Sequence, residues 1–195
     1  MANYRRNVAR HLREVIREIG PLDGLLDFGA GNGWMLNQLL TADVDVGTAT
    51  AVDVQRRDEY HLPVELYDGE RLPFDDRSFD ATMAVDVIHH CADPEAALRD
   101  AARVTRRFII LKDHTYRSQV GFAILSALDE AGNRKFGIPS RHRYQSGFAW
   151  DATLIDAGFT LRRRVHPLPC HDGVLSFTDR LQCLAVFERT TARRP

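Results

Sequence analysis

The sequence predicts an α/β fold: a doubly wound, mostly parallel sheet of seven strands, helices on both faces, and a C-terminal antiparallel hairpin. Three observations carry this. Short apolar runs of strand length alternate with segments of helical periodicity along the chain. The first run ends in an acid and a glycine-rich turn, LLDFGAGNGWML at residues 25–36, which is where a doubly wound sheet meets its ligands. The last two runs, 159–165 and 181–188, have only a loop between them, so they pair antiparallel.

In chain order, Val8, Leu12, Val15, Ile16 and Ile19 share one face of a helix over residues 5–19, ended by Gly20-Pro21. Residues 24–28, GLLDF, read as a buried strand. After the glycines a helix turns Met35, Leu36, Leu39 and Leu40 inward. Residues 48–54 form the second strand, 64–67 a short third, and FDATMAV at 79–85 the fourth. Asp93-Pro94-Glu95 supplies an N-cap, a proline at the first helical position and a first-turn acid, opening a helix that runs to about Val104. FIIL at 108–111 is the fifth strand, followed by a helix around 118–131. The loop GNRKFGIPSRHRYQ then leads to a helix near 147–157, closed by Gly158. No repeat, low-complexity segment or internal linker divides the chain, so residues 1–195 are expected to form one domain, with only the tail after Arg189 loose.

Composition narrows the function classes. The chain has 195 residues, 44% hydrophobic, with a formal net charge of −1, an ordinary globular balance that gives no basic footprint for nucleic acid. No apolar run is long enough to span a bilayer. MANYRRNVARHLREVIREIG lacks the apolar stretch of a secretory signal, and Glu14 and Glu18 argue against a transit peptide. Cys91, Cys170 and Cys183 are far apart and odd in number, so they read as reduced thiols and the expected location is cytoplasmic.

Gly29 and Gly31 would let backbone approach a ligand with no Cβ in the way, and a helix starting near Gly33 would offer N–H groups to an anion. A dinucleotide fingerprint, G-x-G-x-x-G, would need a glycine where this chain has Trp34, which disfavours a nicotinamide oxidoreductase. The spacing is instead G-x-G-x-G after Asp27. Asp53 ends the second strand and Asp68-Gly69 follows the third. The run YDGERLPFDDRSFDATMAVDVIHHCADPEAALRDAARV then gives an acid, Leu-Pro-Phe, Phe-Asp opening strand four, His-His after it, and Asp-Pro opening a helix. In order and spacing, over about residues 22–115, this resembles the class I S-adenosylmethionine-dependent methyltransferases of the type-11 methyltransferase family. One departure is Thr105-Arg106-Arg107, where that family often has Pro-Gly-Gly.

The resemblance implies a Rossmann-like fold and S-adenosyl-L-methionine as cofactor, with S-adenosyl-L-homocysteine as product. It implies that Gly29 and Gly31 pass under the methionine part and that Asp27 holds its amino group. Asp53 would take the ribose hydroxyls, and Asp68 with the Gly69 backbone the adenine, walled by Leu72 or Phe74. Val85 and Asp86 would stand beside the sulfonium. Methyl transfer from a sulfonium is an in-line displacement with a neutral leaving group, so alignment does most of the catalysis. A base helps where the acceptor is a hydroxyl or a protonated amine. The candidates are His89 and His90 after strand four and His114 after strand five; His166 and His171 read as solvated loop histidines.

Asp86 and Asp113, at adjacent strand tips, offer oxygen ligands that suit magnesium, but strand-tip acids also cap helices. His166, Cys170 and His171 lack a zinc spacing, so no metal is expected. Phe122, Phe136, Tyr144, Phe148 and Trp150 could wall an acceptor pocket or simply pack. The basic loop of Arg134, Lys135, Arg141, His142 and Arg143 is either solvated or a clamp for an anionic acceptor. The expected function is methyl transfer to a small molecule. A non-catalytic S-adenosylmethionine-binding module is the alternative. An RNA methyltransferase ranks lower, because strand four ends in Val85-Asp86-Val87-Ile88 instead of Asn/Asp-Pro-Pro-Tyr. The 115–150 segment, the hairpin loop or a second copy in a homo-oligomer would complete the acceptor pocket.

Overall fold

A computed structural model of the chain describes residues 2–133 and 141–190. Arg134, Lys135 and Phe136, and the tail beyond Thr190, lie outside the described residues.

The elements are α1 (Ala2–Ile19), β1 (Leu22–Phe28), α2 (Trp34–Leu40), β2 (Val46–Asp53), β3 (Glu65–Leu66), β4 (Phe79–Val85), α3 (Pro94–Val104), β5 (Thr105–Tyr116), α4 (Gln119–Asn133), β6 (Gln145–Ser146), α5 (Trp150–Asp156), β7 (Phe159–Val165) and β8 (Gln182–Arg189). The strand order is β3-β2-β1-β4-β5-β8-β7. The first five of these strands run parallel, and β8 is antiparallel to both β5 and β7. The expected architecture therefore holds, with one addition. The two-residue β6 pairs with the end of β5 and makes eight strands among the described residues. It is too short to have left a pattern in the sequence.

Successive residues of the central strands point to opposite faces, so each face needs its own helical cover. Leu25 and Ile110 pack with Val8, Leu12, Ile16, Leu36 and Leu39 of α1 and α2. Leu26 and Ile109 pack with Leu98 of α3 and Trp150 and Leu154 of α5. Leu12, Leu25, Leu36 and Leu39 are fully buried, and each such side chain contributes about 1.5–3 kcal/mol. Leu40, expected to point inward, is exposed, because it is the last residue of α2 and lies past the packed face.

The largest boundary difference is in β5, which runs from Thr105 to Tyr116 instead of 108–111. Its ends carry charged residues that hide the strand pattern. Where a Pro-Gly-Gly turn was looked for, α3 passes straight into β5. Thr105 Oγ1 donates to Ala101 O at 2.6 Å and lies 2.6 Å from Thr82 Oγ1. Arg189 donates to Ala102 O and Thr105 O, satisfying carbonyls at the end of α3. The chain leaves β1 to build β2 and β3 on one side, then crosses to β4 on the other. The reversal between β1 and β4 sets the crevice at the carboxyl ends of these strands.

Candidate active site

The β1 and β2 ends form one half of this crevice. Gly29, Gly31 and Gly33 all have positive φ, at 76°, 61° and 74°. They are there for different reasons. A Cβ on Gly29 would fall 2.0 Å from Val87 Cγ2, so this glycine admits the β4 turn. A Cβ on Gly31 would meet nothing within 4 Å, so its backbone faces open space. Asp27, at the end of β1, is 2% exposed, and its Oδ2 is buried with no hydrogen-bond partner. Burial, reinforced by the charge of Asp53, pushes its carboxyl up to about 7, with only Arg5 pulling the other way. Asp53 is also buried and already braces the loop. Its Oδ2 accepts from Gly31 N at 2.7 Å and its Oδ1 from Gln55 N at 2.8 Å. The expected anion site at the start of α2 is partly closed, since Trp34 N donates to Asn32 Oδ1. Asp68 is exposed and caps its own turn through Glu70 N at 2.9 Å, and Gly69 has φ 84°. Leu72 is buried in the α3 side of the core and Phe74 stacks edge-on to Phe79, so packing accounts for both.

The β4, β5 and β8 ends form the other half. Val85 pairs with Lys112 in the ladder, and Asp86 follows with φ 53°, a left-handed conformation that aspartate tolerates. Lys112 is fully buried and lies 2.5 Å from Asp86 Oδ1. Tyr4, from α1, donates to Asp86 Oδ2 at 2.8 Å and accepts from Lys112. Lys112 and Asp86 thus neutralise each other. Burial works to raise the Asp86 pKa, but Lys112 and His114 outweigh it and hold it below the usual carboxylate range.

Gln182 stands opposite His114 in the antiparallel ladder. Its Oε1 is 2.8 Å from Lys112 Nζ and 2.9 Å from His114 Nδ1. An ammonium has no acceptor, so the amide atom facing it must be oxygen. His114 Nδ1 therefore carries the hydrogen, and Nε2 keeps the lone pair. Burial is the main reason that the His114 pKa falls to about 4; His89 and Lys112 add to it and Asp86 opposes. The imidazole is neutral at ordinary pH.

His89 and His90 lie on a 3-10 turn over Ile88–His90. His89 is buried, with Nδ1 2.5 Å from Asp113 Oδ1 and Nε2 3.5 Å from Asp129 Oδ1. Burial alone would lower its pKa, but the two carboxylates raise it to about 10. A cation held between two acids has no lone pair to offer, so His89 is corrected from base candidate to structural ion. Asp113 is correspondingly held at about 2 despite its burial. That pairing and the Lys112–Asp86 pair occupy the two acids considered for magnesium. His90 stacks on His89 at 4.0 Å between ring centroids, and burial and the His89 charge lower its pKa. Tyr144 donates to Asp129 and lies beside His114, and it packs with Phe122, Leu125 and Leu181 in a small core cluster. Phe148 lies instead between Arg117 and Arg164, and Trp150 is core. His166 approaches Arg180 O, whereas His171 is drawn into a polar cluster with Asp179 instead of being solvated.

Tyr4, Lys112, Gln182 and Asp129 were absent from the sequence-derived site. One signal could have exposed Lys112. Lys112 and His114 are two apart on one strand and so share a face.

A glycine loop with an acid before it and an acid ending the next strand therefore meet at the switch point of this sheet. Residues 26–108, somewhat under half of the chain, match the family described as "Methyltransferase domain". It is 28% identical over 193 aligned residues to a sarcosine/dimethylglycine N-methyltransferase of Halorhodospira halochloris, covering 89% of this chain and 65% of that protein. It is 35% identical over 104 residues to a demethylmenaquinone methyltransferase of Mycolicibacterium gilvum, covering 50% of this chain and 43% of that one. The chain thus spans less than two thirds of these relatives. A chain in the complex between the Haloferax volcanii Trm112 methyltransferase activator and a methyltransferase superposes with a TM-score of 0.72 at 16% identity, covering 100% of this chain and 93% of that one. At that identity the likeness concerns the fold. The cofactor of the family is S-adenosyl-L-methionine, and the unpartnered buried oxygen of Asp27 beside the open face of Gly31 suits a cationic amino group. No helix among the described residues is long and apolar enough to cross a membrane.

Proposed function

We propose that the protein transfers a methyl group from S-adenosyl-L-methionine to a small-molecule acceptor. The observation that carries this is the buried Asp27 oxygen without a partner, set behind the glycine loop. A lone buried carboxylate is costly, and a ligand ammonium relieves it. Asp27 binds the amino group, while Gly29 and Gly31 shape the loop passing under the methionine part. Asp53 accepts from ribose hydroxyls with the lone pairs that Gly31 and Gln55 leave free. Asp68 and the Gly69 backbone hold the adenine. Val85 and Asp86 flank the reacting end, and Lys112 keeps Asp86 from competing as a free anion near it.

The bound cofactor supplies an electrophilic methyl group and a neutral leaving group. The chain's part is to align the acceptor and to take its proton. His114 Nε2 does the second, with Gln182 fixing the tautomer. His90, neutral and adjacent, is the reserve candidate. The acceptor is a small amine or hydroxyl compound. The name of the sarcosine/dimethylglycine N-methyltransferase supports an amine. Arg143 is engaged with the Ala92 carbonyl, so among the described residues of the basic loop the exposed Arg141 is the one we assign to meet an anionic acceptor.

Titration calorimetry tests the cofactor assignment: S-adenosyl-L-methionine and S-adenosyl-L-homocysteine bind, and NAD does not. Tight NAD binding without an S-adenosylmethionine signal overturns it. Turnover on a panel that starts with sarcosine and dimethylglycine then tests the acceptor class. Methylation of RNA in place of every small molecule refutes that part.

A further inference from the structure

The connection between β7 and β8 folds back on itself through a 3-10 segment, Gly173–Leu181, and brings Asp179 against Cys170 and His171. Cys170 Sγ lies 3.6 Å from His171 Nδ1 and 3.7 Å from Asp179 Oδ1, and Nδ1 lies 2.8 Å from the same oxygen. We propose that Cys170, His171 and Asp179 form a binding site for a divalent transition metal of the zinc class. In a tetrahedral zinc site, with sulfur at about 2.3 Å and nitrogen or oxygen at about 2.0–2.2 Å, neighbouring ligand atoms stand about 3.3–3.6 Å apart. Two of the three edges are already close to that length. The third is short because the ring nitrogen and the carboxylate share a hydrogen. A metal takes that hydrogen's place, and the edge opens by about half an ångström.

The surroundings prepare the site. Asp179 Oδ1 accepts from the Cys170 and His171 backbone amides at 3.2 and 3.0 Å, which fixes the carboxylate before any ion arrives. Cys170 is fully buried, and burial pushes its thiol up to about 12, so without a metal it is chemically idle. Metal binding releases its proton and makes it a thiolate ligand. The mixed sulfur, nitrogen and oxygen donor set favours zinc over magnesium or calcium. Three protein ligands leave the fourth position to water.

The other two clusters of ligand-type residues among those described, His89/His114/Asp129 and Asp86/Asp113/His114, contain no sulfur. They already hold their own cations, His89 and Lys112. The Cys170 cluster sits under α1. Tyr4 stacks on His171 at 4.8 Å, Asn7 donates to Cys170 O, and His11 Nε2–H donates to Pro169 O. A metal there would tie the two ends of the β7–β8 connection together beneath the helix that sends Tyr4 to Asp86.

The test is a titration of the chelator-stripped full chain with Co²⁺, followed by displacement with Zn²⁺. A thiolate-to-cobalt charge-transfer band should saturate at one equivalent, vanish on adding zinc, disappear in Cys170→Ser and persist in Cys91→Ser and Cys183→Ser. His171→Ala, at a partly exposed position, should also lose the band and serves if Cys170→Ser fails to fold. Absence of the band from the wild type at stoichiometric cobalt overturns the proposal, and so does its survival in Cys170→Ser or His171→Ala. Zinc should also raise the melting temperature of the wild type, by mass action on the folded state.

Discussion

Asp27 and Asp113 are both aspartates at the carboxyl ends of parallel strands, 2% and 1% exposed. Yet the carboxyl of Asp27 is raised to about 7 and that of Asp113 lowered to about 2. Burial is the leading influence on both and pushes both upward. The difference is the partner. Asp113 has the His89 imidazolium and the His114 and Ile88 amides, whereas Asp27 faces another acid, Asp53. The β4–β5–β8 half of the crevice is electrostatically complete, whereas in the β1–β2 half Arg5 only partly offsets the burial of Asp27 and makes no hydrogen bond to its Oδ2. A buried acid whose oxygen has no hydrogen-bond partner marks where a cationic ligand gains most, and in the proposed function that ligand is the amino end of the cofactor.

The largest expected effect concerns the complete half. His114→Ala should lower turnover by about 100-fold to 10,000-fold while leaving cofactor affinity nearly unchanged. Because the His114 pKa is about 4, its limb in the wild-type pH–rate profile should rise near pH 4 and not near the ordinary imidazole value. Full turnover by a folded His114→Ala protein would pass the role to His90.

Removing the counter-ion should turn Asp113 into another Asp27. His89→Leu leaves Asp113 and Asp129 without it and should cost about 3–5 kcal/mol in urea unfolding at pH 7. The His89 pKa is raised on folding, so its contribution is complete below the unfolded value of about 6.5 and fades as pH rises toward about 10. The gap between wild type and variant should therefore narrow over that interval. Equal stability at pH 7 would mean that the pair does not exist as described.

The same experiment on the incomplete half should have the opposite sign. Folding raises the Asp27 pKa from about 3.8 to about 7, so the wild type loses stability as pH rises through that window. Asp27→Asn does not ionise and should be more stable than the wild type by about 2–4 kcal/mol at pH 8, with the difference gone below about pH 4. A destabilised Asp27→Asn at pH 8 would show that the carboxylate has a partner after all.

The two halves also differed in how far the sequence revealed them. Asp27 and the glycines are contiguous, and Asp53 and Asp68 each follow an apolar run that marks a strand end. Local order was enough to gather them. The other half depends on pairings across the chain. Tyr4 meets Gln182 from 178 residues away, and Gln182 faces His114 only because β8 runs antiparallel beside β5. Lys112 broke the apolar run, so the fifth strand was expected to stop at 111, one residue before the side chain that neutralises Asp86. The same blindness applied to Cys170 and His171, whose third partner comes from a turn with no periodic pattern. His89 was visible as part of a motif, but its role was not, since Asp113 and Asp129 come from β5 and α4.

The pH dependence of cofactor binding tests the central claim most directly. S-adenosyl-L-homocysteine affinity should be measured by calorimetry between about pH 5.5 and 8 for the wild type and for Asp27→Asn. An ammonium binds the ionised carboxylate, so below its pKa of about 7 the proton must leave first. Wild-type affinity should fall as pH drops through about 7. Asp27→Asn should bind more weakly at pH 8, without that dependence. An Asp27→Asn protein that binds as tightly as the wild type at pH 8, with the same pH profile, would contradict the assignment of Asp27 as the acid left open for the cofactor.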